Sequence, residues 1–187
     1  MSNEAVPSSR ALGWVRPAAW SFAAALLALP AVAMRFTSEV NWTLSDFIIM
    51  GALIGGTGFL LEVAVRLSGN WAYRMGALVA LLTSFLIIWV NLAVGIIGSE
   101  DNPLNAMFAG VLGVALAGTI IVGFRARGMR HVLVATAIAQ IVVGLIAAVY
   151  GHNIWPITVA LAMVWSFAAA LFNRAASQPS PSSLSRT

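Results

Sequence analysis

The sequence predicts an all-α integral membrane bundle of six transmembrane helices, N-in and C-in. Three observations predict it. Of the 187 residues, 60% are hydrophobic and 9% charged, where an average soluble domain is about 25% charged. The mean hydropathy of +0.92 is more apolar surface than a water-facing exterior can cover. The uncharged runs match the bilayer, which needs about 20 helical residues per crossing. The arginines, finally, fall almost all on one side of the chain so folded.

Residues 17–34 lack charge, and Pro17 suits the first turn of a helix, which makes span one. Span two is expected over 46–65. Span three, 75–98, lies in the 25 uncharged residues between Arg74 and Glu100, and span four, 103–124, in the 23 between Asp101 and Arg125. The 43 residues from His131 to Asn173 hold no formal charge, too many for one crossing. Tyr150-Gly151-His152-Asn153 and Pro156 divide them into spans five (131–150) and six (154–173). Barrel strands are not expected, because the runs are long and do not alternate with period two. The tails, 1–16 and the Ser- and Pro-rich 174–187, are expected to be disordered and cytoplasmic. Ala31-Val32-Ala33 imitates a signal-peptide cleavage site. We read it as the end of an Ala-rich first helix kinked at Pro30; cleavage is the alternative, and the other five spans keep their orientation either way.

Arg10, Arg16, Arg66, Arg74, Arg125, Arg127, Arg130, Arg174 and Arg186 share one side, and Arg35 alone takes the other. Nine against one places the first side in the cytoplasm. Glu39, Asp46, Glu100 and Asp101 then face outward. Trp20 and Trp71 fall near the inner boundary, and Trp42 and Trp155 near the outer one, as an aromatic belt.

The composition also bounds the chemistry. There is no cysteine, which removes disulfides, thiolate metal sites and Cys nucleophiles. A net charge of +4 and a pI near 11.1 would suit nucleic acid or anionic lipid. The arginines are scattered at helix ends, however, and topology accounts for them. The partner expected is the lipid bilayer, not nucleic acid.

The densest polar cluster, Ser99-Glu100-Asp101-Asn102, ends the apolar run that begins at Trp89. Asn102-Pro103 reads as an N-cap followed by proline at the first helical position, with Glu100 and Asp101 ahead of the helix N-terminus, where negative charge is favoured. Asn41 and Asn153 stand before spans two and six in the same manner. Capping leaves Asn91 unexplained, about 13 Å deep, and Asn105, one turn below the cap. Asn91, Glu100, Asp101, Asn102, Asn105, Asp46 and His152 could together line an outward-facing pocket. Such hard oxygen donors suit Ca²⁺, Mg²⁺ or a polar solute, though no spacing matches a known metal loop, so the metal stays unknown.

Glu62 is the only acid inside a span, about 24 Å along the helix from Asp46. Arg66 follows four residues later, in the favourable order for a helical ion pair; a proton-relay carboxylate is the sharper reading. His131 and His152 fall at opposite faces, so they do not share a haem within one chain. No catalytic constellation is found, and no cofactor is expected. Gly51-xxx-Gly55 in span two and Ala109-xxx-Gly113-xxx-Ala117 in span four permit close helix approach. Packing of both spans at the bundle centre is preferred over a homodimer face. Thr83, Ser84, Thr136 and Gln140 are expected to hydrogen-bond between helices. Spans 2–3 and 4–5 share an Asn start and a Gly-Thr pair, which falls short of showing a duplication.

The segments FTSEVNWTLSDF (36–47) and WVNLAVGIIGSEDNPLN (89–105) resemble a family of small bacterial inner-membrane proteins of uncharacterised function. The likeness spans roughly residues 29–150. It implies a multi-pass protein of the bacterial cytoplasmic membrane, and brings no activity or site residues. The function expected is that of a non-enzymatic accessory membrane protein binding a membrane-protein partner or a second copy of itself. A small-solute or ion transporter, entered through the outer pocket with Glu62 as relay, is the alternative.

Overall fold

The computed structural model describes residues 14–178. Most of the two tails lies outside them. Six long helices follow one another among the described residues: α1 (Val15–Ala33), α2 (Leu44–Leu67), α3 (Trp71–Ala93), α4 (Met107–Ile121), α5 (Ala126–Val149) and α6 (Trp155–Ser177), with a 3-10 turn, Pro103–Ala106, leading into α4. Each is long and apolar enough to cross a membrane, α4 together with its 3-10 turn. They mark a multi-pass helical protein whose surroundings are a lipid bilayer.

Charge spacing located every helix, but backbone chemistry moved several ends. The side chain of Asn70 accepts hydrogen bonds from the N–H groups of Ala72 and Tyr73, at 2.9 and 3.2 Å. This N-cap starts α3 at Trp71, so Arg74 rides in its first turn. The expected end at 98 is lost because Gly95 and Gly98 both adopt φ +72°, a region glycine enters without a Cβ clash. Gly123 and Phe124, each at φ +60°, likewise end α4 before the expected 124. Helix α5 begins five residues before the expected 131 and carries Arg127, Arg130 and His131 in its opening turns. Long basic side chains allow this, since their charged heads reach the helix end. Helix α6 extends through Arg174 to Ser177, into the stretch expected to be tail.

The chain divides into two compact units, the first ending at Phe59 and the second beginning at Leu60. In the first, α1 and the leading part of α2 run antiparallel. Leu27 lies against Gly51 and the Trp20 indole against Gly58. No residue of the α1 span is buried.

In the second unit α6 packs against both α5 and α3, α5 also packs against α4, and α3 and α4 scarcely touch. The row is therefore α4–α5–α6–α3. Its centre is the face of α5 that presents Leu133, Thr136, Ala137, Gln140 and Gly144, residues three or four apart. Opposite stand Thr158, Trp165, Ala168, Ala169 and Phe172 of α6. Lipid tails are as apolar as leucine, so close packing rather than water exclusion joins such helices. Two glycines allow it: a Cβ at Gly144 would lie 2.5 Å from Thr158 Cγ2, and one at Gly76 2.9 Å from the Phe172 ring. That ring meets Tyr73 edge-on at 4.9 Å.

Within each unit the small-residue stripes meet fewer neighbours than expected. In the second unit helix α4 stands at the end of the row. Gly118 packs against Val132, but Ala109, Gly110, Gly113 and Ala117 are exposed, and a Cβ at Gly110 or Gly113 would meet nothing. In α2, Gly51 faces α1, while Gly55 and Gly56 have open space. The expected interhelical hydrogen bonds also fail to form. The hydroxyls of Thr83, Ser84 and Thr136 donate to carbonyls four residues back, at Val79, Ala80 and Val132, the nearest acceptors in hydrocarbon. Gln140, fully buried, leaves both amide atoms without a hydrogen bond.

Candidate functional site

The polar residues at the α3–α4 connection are spent on building that connection. Asn105 is buried, and its Oδ1 accepts from the N–H groups of Ile96 and Ile97 at 3.0 and 2.8 Å. Its amide donates to the Ser99 carbonyl at 2.7 Å and, more weakly, to that of Ile97. One side chain thus pins the irregular segment left where α3 stops early, and seats Ile97 in the core. Asn102 caps the 3-10 turn by accepting from Leu104 N–H at 3.0 Å, and its amide nitrogen approaches His152 Nε2 at 3.4 Å. Glu100 and Asp101 are exposed.

Within the second unit the structure brings together Asn102, Asn105 and His152 around these turns. Asn91 donates to the Ile87 carbonyl of its own helix at 2.8 Å, while its Oδ1 is buried without a hydrogen bond. Asp46 belongs to the first unit and serves a capping box: its carboxylate accepts from Thr43 N–H at 2.7 Å and Thr43 hydroxyl at 2.8 Å. Thr43, not Asn41, therefore opens α2. Asn153 makes no cap either, since α6 starts from Ile154 without a side-chain hydrogen bond. Among the described residues no three His, Asp or Glu side chains gather as a metal site would need. Glu62 and Arg66 form their expected pair at 3.5 Å on one helix.

The concave feature at membrane depth lies elsewhere, where α3 and α4 fail to close on each other. There the second unit borders a half-open cavity of about 320 Å³. Ala77, Ala80 and Ser84 of α3 form one wall and Leu112, Ala115 and Thr119 of α4 the other. Small residues on both walls make the gap. Leu133, Trp165 and Phe172 form its floor, and Leu60, Val63 and Ala64 of α2 flank it. The Ser84 and Thr119 hydroxyls are turned back onto their own helices, to the Ala80 and Ala115 carbonyls. One polar group on the floor is unspent: Trp165 is fully buried and its indole N–H has no acceptor among the described residues. The cavity's basic-end limit is the α4–α5 turn, where the Tyr73 hydroxyl donates to the Phe124 carbonyl at 2.9 Å. A side chain at positive φ is strained by about 1–2 kcal/mol, and this bond helps to hold Phe124 there.

Beyond that turn the lining changes character. A shallow cleft of about 630 Å³ is bordered by Ile121, Val122, Arg125, Arg127, His131 and Ala176. Phe124, in the cavity lining, and Arg125, in the cleft lining, are consecutive residues. Sequence reasoning took these arginines for topology markers alone. The close spacing of Gly123-Phe124-Arg125-Ala126-Arg127 was the signal available. The cavity had none, because it depends on which helix faces pack.

A scan against protein-family models, a search of curated proteins and a search of solved structures each return no match.

Proposed function

We propose that the chain is a non-enzymatic accessory protein of the bacterial cytoplasmic membrane, N-in and C-in, which holds an apolar chain between α3 and α4. The observation that carries this reading is the 320 Å³ cavity. Its size falls in the range of ligand pockets, about 300–1,000 Å³, and its walls are aliphatic and aromatic with their hydroxyls turned away. Such a site recognises hydrocarbon by shape. A cavity of this size, if empty, would forfeit the packing that joins helices in a membrane. The resemblance of residues 36–47 and 89–105 to small bacterial inner-membrane proteins supports the location, and the one-sided arginines support the orientation. Three of the residues on which transport would draw are engaged otherwise: Asn105 and Asn102 hold turns, and Glu62 is paired with Arg66.

Native mass spectrometry of the full chain, extracted in mild detergent, tests the reading. The wild type should retain a lipid-sized apolar molecule, and Ala115→Phe, which fills the cavity from one wall, should lose it. Equal retention by a folded Ala115→Phe variant would refute the cavity as the binding site.

A further inference from the structure

We infer that the cavity's occupant is an anionic phospholipid of the cytoplasmic leaflet, its phosphate held in the cleft by Arg125, Arg127 and His131. This rests on the reading just proposed and adds the headgroup to it. Most arginines at this end of the bundle are committed. Arg74 donates to the Ser68 and Val65 carbonyls, Arg66 pairs with Glu62, and Arg174 lies over the Trp71 ring, 5.0 Å from its centroid. Arg130 donates to Asn173 and to His131 Nε2, at 2.8 and 2.7 Å. Arg125 and Arg127 differ: among the described residues neither guanidinium has a hydrogen bond or ion pair. Both line the cleft, with no acidic residue in its lining.

The chemistry of the cleft is that of an oxyanion site. Two guanidiniums present forked N–H donors that match phosphate oxygens. Because Arg130 can only donate, His131 Nε2 accepts, which leaves His131 Nδ1–H as a further donor. The start of α5, where Arg125 and Ala126 lie, adds a favourable helix-dipole end. The positive-inside rule accounts for arginine on this side of the membrane. It does not account for two uncommitted arginines bordering a cleft one residue from an apolar cavity.

That adjacency selects the source of the phosphate. A soluble phosphate would use the cleft and ignore the cavity, whereas a phospholipid presents a charged head and an apolar chain in the same order as Arg125 and Phe124. Basic pockets between helices on the cytoplasmic side are a recurring form of anionic-lipid site, each arginine contributing about fivefold in affinity.

The test uses the full chain in detergent, with phosphatidylglycerol and phosphatidylcholine of identical acyl chains as probes and native mass spectrometry as readout. Phosphatidylglycerol should be retained in preference. The double variant Arg125→Gln/Arg127→Gln should weaken its retention about 25-fold and leave phosphatidylcholine unchanged, while Arg125→Lys/Arg127→Lys should keep most of the preference. Both arginines are exposed and unbonded, so these variants should fold. Equal retention of the two lipids, unaffected by the arginine variants, would overturn the headgroup assignment and leave the apolar reading standing. Retention of both lipids unchanged in Ala115→Phe would overturn both. Displacement of phosphatidylglycerol by glycerol 3-phosphate as readily as by the lipid would make the cleft a soluble-phosphate site and overturn the lipid assignment.

Discussion

Asn105 contributes to stability out of proportion to its size. It satisfies one buried and one part-buried backbone N–H group and two carbonyls in a segment with no regular structure. Truncation to alanine strands those groups, at about 1–3 kcal/mol for a buried donor left unmade. Thermal unfolding in detergent should show Asn105→Ala clearly destabilised, with Glu100→Ala and Asp101→Ala, both exposed, within about 0.5 kcal/mol of wild type. Gln140 presents the opposite case. Its amide is fully buried and unbonded, so Gln140→Leu removes a desolvated polar group while keeping volume. The variant should be as stable as wild type or more so by the same assay; a marked loss would mean that the amide has a bonding partner after all.

At the scale of the helix, the glycines divide by what faces them. Gly144 admits Thr158, and a Cβ there would lie 2.5 Å from Thr158 Cγ2. Gly144→Ala should therefore weaken the α5–α6 contact by about 1–3 kcal/mol, the usual result of overpacking. Gly113 has open space around it, so Gly113→Ala should be neutral or stabilising by up to about 1 kcal/mol, through helix propensity alone. Comparing the two variants' melting temperatures checks the order of the row, since a centrally packed α4 would make Gly113→Ala harmful as well. The sequence could not distinguish these glycines, because a small-residue stripe reads the same whether it faces a neighbour or lipid. Caps show a similar limit. Asn102-Pro103 was legible because cap and proline reinforce each other, whereas Asn70 and Thr43 cap α3 and α2 without proline and escaped notice, and Asn41 and Asn153 looked like caps but are not.

For the whole molecule, the six crossings were legible because charge is expensive in hydrocarbon, so the spacing of charges maps the spans. The proposed orientation rests on the same charges and has a direct check, since the chain has no cysteine of its own. Ser99→Cys and Asn153→Cys should react with a membrane-impermeant maleimide in intact cells, and Gly69→Cys only after permeabilisation; the reverse pattern would invert the topology. The candidate site was not legible. Its cavity exists because α6 and α5 take the central places and leave α3 and α4 apart, a choice made by side-chain shape rather than by hydropathy.

The central claim is that an apolar chain occupies that gap, and photo-crosslinking tests it most directly. A phospholipid carrying a diazirine on its acyl chain would be supplied to the full protein, irradiated, and the adducts located by peptide mass spectrometry. The account predicts adducts concentrated on cavity-wall residues such as Ala80, Ser84, Ala115 and Thr119, lost when Ala115→Phe fills the space. Adducts spread evenly over outward positions such as Leu145 and Val149, and indifferent to Ala115→Phe, would contradict it.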